Sequence, residues 1–157
     1  MRLEITTFSE RETIELGAAL GATLRAGDVI AVSGELGAGK TRLARGVAIG
    51  LGLEPGVVSS PTYVLVNEYA RDDDAPPLVH VDAYRLRGAE DLASLGWEQV
   101  QDQDAITLIE WADRIADDLP SSALHIQMTH AGGDDRRITM TGRDAWHDRL
   151  VGLPFQR

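Results

Sequence analysis

The octapeptide Gly34-Glu35-Leu36-Gly37-Ala38-Gly39-Lys40-Thr41 constrains this chain more than any other stretch of it. It fits G-x-x-x-x-G-K-[ST] at every fixed position, and each fixed residue has a physical task. The glycines allow positive φ and let backbone N–H groups approach phosphate oxygens closely. The lysine places a cation on the β- and γ-phosphates, and the hydroxyl after it suits Mg²⁺. A glycine-rich helix entrance with a stray lysine is the bland alternative, and the flanks weigh against it. Asp28 to Ser33 (DVIAVS) is a short apolar run rich in β-branched residues, which predicts a buried strand. Beyond the loop, Leu43, Val47 and Leu51 keep i, i+4, i+8 spacing until Gly50, Gly52 and Pro55 stop the helix. Strand, glycine loop and helix in that order aim the unpaired N–H groups and the positive dipole end of the helix at one anion. Gly37, Ala38, Gly39, Lys40 and Thr41 are therefore expected to bind nucleotide phosphates, with Thr41 also at the metal.

Composition sharpens this expectation. Of 15 basic residues 14 are arginines, so Lys40 is the only lysine in 157 residues. Guanine-selective switches use an Asn-Lys-x-Asp element, whose lysine cannot exist here, so the expected cofactors are ATP and Mg²⁺. A net charge of −10 argues against a long surface that tracks nucleic-acid phosphates, and no DNA partner is expected. The absence of cysteine excludes thiol catalysis and cysteine-based zinc sites. Met1 to Glu10 has no apolar signal core and no run of eighteen apolar residues occurs. The expectation is a soluble, cytoplasmic protein with no membrane partner.

The rest of the chain reads as one α/β domain over residues 1–157, a central mostly parallel sheet flanked by helices. Leu3, Ile5 and Phe8 suggest a first strand. Ser9-Glu10-Arg11-Glu12 has the form of a capping box, followed by Leu16, Leu20 and Leu24 on a helix over about Glu10 to Arg25. Tyr63 to Tyr69 and Leu78 to Asp82 read as strands joined by the charged, proline-broken loop Arg71 to Pro77. A short helix over Glu90 to Leu95, a buried strand over Ile106 to Ile109 and a weak helix near Asp113 follow. From Leu124 the residues alternate between apolar and polar, with Gly132-Gly133 as the turn, which predicts a C-terminal antiparallel hairpin with one wet face. A final short helix holds Trp146 and Leu150.

A P-loop enzyme needs a carboxylate at the end of a buried strand for its metal. Two strands end in one: Ile106-Thr107-Leu108-Ile109-Glu110 and Leu78-Val79-His80-Val81-Asp82. Either acid alone is equally readable as a strand-end group facing water. His80 and Asp82 share a strand face, so a metal pair is conceivable, although a packed strand histidine is commoner. Ser60-Pro61-Thr62 lies where P-loop switches carry a threonine toward Mg²⁺ and the γ-phosphate.

Taken together, the P-loop, Ser60-Pro61-Thr62-Tyr63, His80-Val81-Asp82-Ala83-Tyr84-Arg85-Leu86 and Glu110-Trp111 resemble the TsaE (YjeE) family, in its order. Leu92, Leu95 and Gly96 resemble a further segment of it. The resemblance covers about half the chain, and its H-x-D-x-Y-R-L and E-W elements are the specific ones. It implies a P-loop ATPase, weak alone and stimulated by the partner subunits TsaD and TsaB, that is required for threonylcarbamoyladenosine (t6A) formation at adenosine 37 of tRNA. The acidic surface fits meeting tRNA only indirectly, through those partners. The resemblance assigns phosphate and Mg²⁺ binding to Lys40 and Thr41, a Mg²⁺ site to Glu110, and positions near the γ-phosphate to Asp82 and Thr62. Lys40, Thr62, Asp82 and Glu110 form the expected catalytic set. Ser9, Arg42 and Asp82 join the nucleotide-binding residues; many members carry a second threonine where this chain has Arg42. The role of Trp111 does not follow from the sequence, and Arg136 is the one candidate contact in the C-terminal third. Two rival readings compete: a small-molecule kinase with Arg85 and Arg87 as phosphate clamps, and a nucleotide-gated binding module without catalysis.

Overall fold

The computed structural model describes residues 1–58, 66–98 and 104–156. Seven strands form one sheet in the order β1-β7-β6-β2-β5-β4-β3. They are β1 (Arg2–Thr7), β2 (Val29–Gly34), β3 (Val66–Tyr69), β4 (Leu78–Asp82), β5 (Ile106–Glu110), β6 (Leu124–Gly132) and β7 (Asp135–Thr141). The four central strands β6, β2, β5 and β4 are parallel. At the edges β3 pairs antiparallel with β4, and β7 pairs antiparallel with both β6 and β1. Only β3 and β7 thus oppose the common direction.

The predicted C-terminal hairpin is β6–β7, with Leu124, Ile126 and Met128 buried and His125 and Gln127 exposed. Beyond the expectation, β6 also extends the parallel sheet beside β2, and β7 takes up β1, with Ile5 opposite Ile138 and Thr7 opposite Arg136. Successive strand residues face opposite sides of a sheet, so each side has its own core. Ile30, Val32, Leu108 and Ile126 pack with the helices on one side. Ala31, Val79, Val81 and Ile109 pack with Leu86, Leu92, Trp97 and Ile115 on the other.

The first side is covered by α1 (Glu10–Gly21) and α2 (Lys40–Gly50). The two helices touch backbone to backbone. A Cβ on Gly46 would lie 2.2 Å from the Ile14 carbonyl oxygen, and one on Gly17 2.4 Å from that of Leu43. Ser9 caps α1, its Oγ accepting from Glu12 N–H at 3.1 Å, and the Glu12 carboxylate accepts from Phe8 N–H at 2.9 Å. The reciprocal bond of the box therefore falls one residue earlier than the motif predicts. α1 also ends at Gly21 rather than at Arg25. There the Thr23 hydroxyl donates to the Leu20 carbonyl at 2.8 Å, a local bond that competes with helix continuation.

The short helix α3 spans Ala89–Ser94, a 3₁₀ segment runs over Ala112–Asp118, and another 3₁₀ turn, Asp144–Trp146, leads into α4 (His147–Val151). Of the two residues expected on a final short helix, Trp146 ends the 3₁₀ turn and Leu150 lies in α4, and both are buried on the α1 side. The strand expected over Tyr63 to Tyr69 is seen from Val66 onward; its first residues lie outside the described ones. Among the described residues no helix is long and apolar enough to cross a membrane.

Candidate nucleotide-binding site

Between the end of β2 and the start of α2, Gly37 (φ 77°) and Gly39 (φ 95°) take left-handed conformations, which glycine enters without steric cost. The Ala38 N–H donates to the Glu35 carbonyl at 3.1 Å, closing the turn. Gly39 is the N-cap of α2 and offers no side chain, so the first-turn N–H groups of the helix are left to the loop side. Gly34 is needed for a different reason. A Cβ there would lie 2.5 Å from the Met128 carbonyl oxygen, because β6 runs hard against the loop's first residue.

Lys40 is buried, and its Nζ donates to the Gly34 and Glu35 carbonyls at 2.7 and 2.8 Å. The ammonium also sits 3.8 Å from the centre of the Trp111 ring, within cation–π range. Burial lowers the pKa of this lysine, and the charges of Glu110, Asp113, Asp82 and Glu35 oppose that shift.

The parallel register brings the acids to the same level of the sheet, with Glu110 opposite Val32 on one side and Asp82 on the other. Glu110 is only 2% exposed. Its Oε1 accepts from the Thr41 hydroxyl at 2.9 Å, and its Oε2 lies 2.6 Å from His80 Nε2. The P-loop helix, the end of β5 and the middle of β4 are thus tied through one carboxylate. Asp82 is half-buried, and its Oδ1 accepts from Tyr84 N–H at 3.0 Å. Burial raises its pKa, and the neighbouring Glu110 charge adds to the rise. His80 does share a face with Asp82, but its hydrogen-bond partner is Glu110, so the conceivable His80–Asp82 metal pair gives way to a histidine–carboxylate hydrogen bond.

Trp111 follows Glu110 with a left-handed backbone (φ 58°), an uncommon conformation for a bulky residue and one found where the surroundings enforce it. That kink turns its ring between Lys40 and Tyr84, whose ring centre lies 4.7 Å away. On the opposite flank of the loop, Arg136 of β7 is 6% exposed and bonds only to carbonyls. Its Nε donates to Ala38 O at 3.1 Å and a terminal nitrogen to Gly37 O at 3.3 Å. The other terminal nitrogen donates to Gly133 O and Asp135 O at 3.0 and 2.9 Å. Among the described residues no carboxylate pairs with this cation.

Leu36, Gly37, Gly39, Lys40, Thr41, Arg42, Arg45, Glu110 and Trp111 line a cleft of about 320 Å³. Of the predicted residues, Gly37, Gly39, Lys40, Thr41, Arg42 and Glu110 therefore share one cleft. Arg42 pairs with Glu10, which joins α2 to the start of α1 beside Ser9. Ser9 itself serves the helix cap and does not line the cleft. The predicted Ala38 and Asp82 do not line it either, and Arg85 and Arg87 are exposed and lie outside it. Thr62 lies outside the described residues. A larger depression of about 500 Å³ lies between the end of α1 and α4 and contains none of the site residues.

Three contributors were not assigned from the sequence: His80 as a partner of Glu110, Trp111 as a platform for Lys40, and Arg136 as a ligand of loop carbonyls. Arg136 had a readable signal. It keeps phase with Ile138 and Met140 on the buried face of the hairpin, where a guanidinium must find acceptors. His80 likewise sits within an otherwise apolar strand. The Trp111 kink has no local sequence signal.

A parallel strand, a glycine loop and a helix, with a carboxylate on the neighbouring strand end bonded to the loop threonine, define the P-loop class of α/β domains. Within that class the chain belongs to the family described as "Threonylcarbamoyl adenosine biosynthesis protein TsaE", which matches residues 7–138. It is 43% identical over 133 residues to the tRNA threonylcarbamoyladenosine biosynthesis protein TsaE of Streptomyces coelicolor, covering 82% of this chain and 88% of that one. The protein of the same name from Bacillus subtilis is 36% identical, with 89% and 85% covered. The crystal structure of Bacillus subtilis YdiB superposes with a TM-score of 0.76 at 32% identity, over 96% of this chain and 92% of that one.

Proposed function

We propose that this protein is the ATP-binding and ATP-hydrolysing subunit of tRNA threonylcarbamoyladenosine synthesis, acting in the cytoplasm with TsaD and TsaB. The names of its relatives supply the process. The observation that carries the ATPase reading is the Thr41–Glu110 hydrogen bond at 2.9 Å, which joins the P-loop helix to the carboxylate strand.

In this reading Gly37, Ala38 and Gly39 present backbone N–H groups to the phosphates, and Lys40 exchanges its carbonyl partners for phosphate oxygens. Arg42 lines the same cleft and Ser9 stands at the neighbouring helix start. Thr41 and Glu110 are the residues that would hold Mg²⁺; their hydroxyl and carboxylate form the hard oxygen donor set that this ion takes. Bound there, Mg²⁺ supplies positive charge to the phosphates. Asp82, with a raised pKa and one carboxylate oxygen committed to Tyr84 N–H, has its other oxygen to accept a proton from water. Thr62 retains its expected place near the γ-phosphate by family resemblance alone.

The acidic composition supports encounter with tRNA through partner subunits rather than directly. Arg85 and Arg87, the clamps a small-molecule kinase would use, lie outside the cleft, which favours water as phosphate acceptor. The test is phosphate release from Mg-ATP with and without TsaD and TsaB. Slow turnover alone that rises on adding both partners supports the reading. Fast turnover indifferent to the partners contradicts it, and tight ATP binding without cleavage in the complex would select a nucleotide-gated binding module.

A further inference from the structure

We propose that His80 is a positioning residue for Glu110, fixing the carboxylate orientation in which the acid meets Thr41 and serves a divalent cation; the inference rests on the ATPase reading above. Its ground is the bonding of one buried carboxylate. Glu110 spends Oε1 on the Thr41 hydroxyl and Oε2 on His80 Nε2, at 2.9 and 2.6 Å. Both side chains of the His80–Glu110 pair are almost wholly buried, at 1% and 3% exposure. A glutamate has three side-chain torsions, and at a strand end facing a cleft nothing in its own chemistry selects one of them. Two donors in different directions do. The Thr41 hydroxyl holds one oxygen from the P-loop helix, and the imidazole holds the other from β4.

The position of His80 makes this possible. It stands opposite Leu108 in the β4–β5 register, two residues before Asp82 and on the same face as Glu110. The imidazole therefore approaches the carboxylate from beneath, on the side away from the cleft. His80 does not line the cleft, so it acts through Glu110 and not on the nucleotide. Its other nitrogen, Nδ1, is buried with no partner among the described residues. A histidine retained merely for packing would more economically be an apolar residue, since a buried polar atom without a partner costs about 1–3 kcal/mol. The bond to Glu110 is the interaction that offsets this cost. Hydrogen bonds of this outer kind orient metal-binding carboxylates, and their loss typically costs about 10–100-fold in metal affinity or activity.

The test uses the full chain and three variants. His80→Gln places an amide N–H near the position of Nε2. His80→Asn carries the same amide too short to reach Glu110, and His80→Leu removes the donor. Thermal melting identifies which variants are folded. Nucleotide binding is then titrated by calorimetry with ATP, first in excess chelator and then at rising Mg²⁺. The expectation is unchanged metal-free ATP affinity in every folded variant. The Mg²⁺ concentration for half-maximal enhancement should stay near wild type in His80→Gln and rise about 10-fold or more in His80→Asn and His80→Leu. If His80→Leu does not fold, the Gln–Asn pair decides. Equal Mg²⁺ requirements in Asn and Gln variants, with wild type responding to Mg²⁺, overturn the positioning role alone. A wild-type protein that binds no ATP with or without Mg²⁺ overturns the ATPase reading, and the inference with it.

Discussion

Two groups of side chains reach the phosphate loop from opposite flanks. On the β4–β5 flank, His80, Asp82 and Glu110 form an acidic, hydrogen-bonded wall that touches the loop through the Thr41 hydroxyl. On the β6–β7 flank a single buried cation, Arg136, takes hold of the loop through the Gly37 and Ala38 carbonyls. One flank meets the loop at a side chain and the other at its backbone. In the function proposed above, the first would place a metal and a proton acceptor. The second holds the glycine turn by its backbone, bonding the Gly37 and Ala38 carbonyls. Chemistry and loop shape are thereby assigned to different parts of the sheet.

The largest effect that would break this division is expected at Glu110. Glu110→Gln removes the anion while keeping a partner for the Thr41 hydroxyl. Partner-stimulated phosphate release should fall by about two orders of magnitude or more, since metal stabilisation of developing charge amounts to several kcal/mol. ATP binding in chelator should persist. Loss of metal-free binding together with hydrolysis would show that this flank also shapes the loop.

Arg136→Met tests the other flank. It leaves four carbonyls without their donor, a cost of about 1.5–3 kcal/mol for bonds to a charged group. Part of it should appear as a lower melting temperature and part as weaker ATP binding, roughly tenfold. Turnover at saturating ATP should change least. A variant with normal ATP affinity and depressed turnover would reverse the assignment.

The smallest effect on stability is expected at Asp82, and its sign is informative. Its folded pKa is raised, chiefly by burial. Between the ordinary carboxylate range and that higher value the folded state holds more protons, so the group costs stability as pH rises through the interval. Asp82→Asn should therefore melt slightly higher than wild type at neutral pH, with the gain vanishing in acid, while phosphate release falls. A variant that is less stable at neutral pH would mean that the carboxylate is held by contacts stronger than its burial penalty.

The two flanks also differ in how far the sequence discloses them. The acidic flank was readable because Asp82 and Glu110 each terminate an apolar run, and the P-loop demands such a carboxylate. Parallel register then brought both to one level. The Arg136 flank was only half readable. Alternation placed the residue on the buried face of the hairpin, but that β6 lies beside β2, carrying the hairpin to the loop, is a matter of strand order. No local pattern encodes it. The close contact of α1 and α2 has no local signal either: Gly17, Gly21, Gly46 and Gly50 gain their meaning only where the helices meet backbone to backbone. Trp111 is the extreme case, since its left-handed backbone is imposed by the surroundings of the Lys40–Trp111–Tyr84 stack.

The central claim is that Lys40 holds the phosphates of Mg-ATP, and the chain offers a direct test because it contains no other lysine. An amine-acylating reagent has two targets, Lys40 and the N-terminal amine, which donates to the Gly142 carbonyl at 2.6 Å on the β1–β7 edge of the sheet. Mass spectrometry of timed acylation should show Lys40 protected by saturating Mg-ATP and Met1 modified at an unchanged rate. Equal acylation of Lys40 with and without saturating Mg-ATP would contradict the claim.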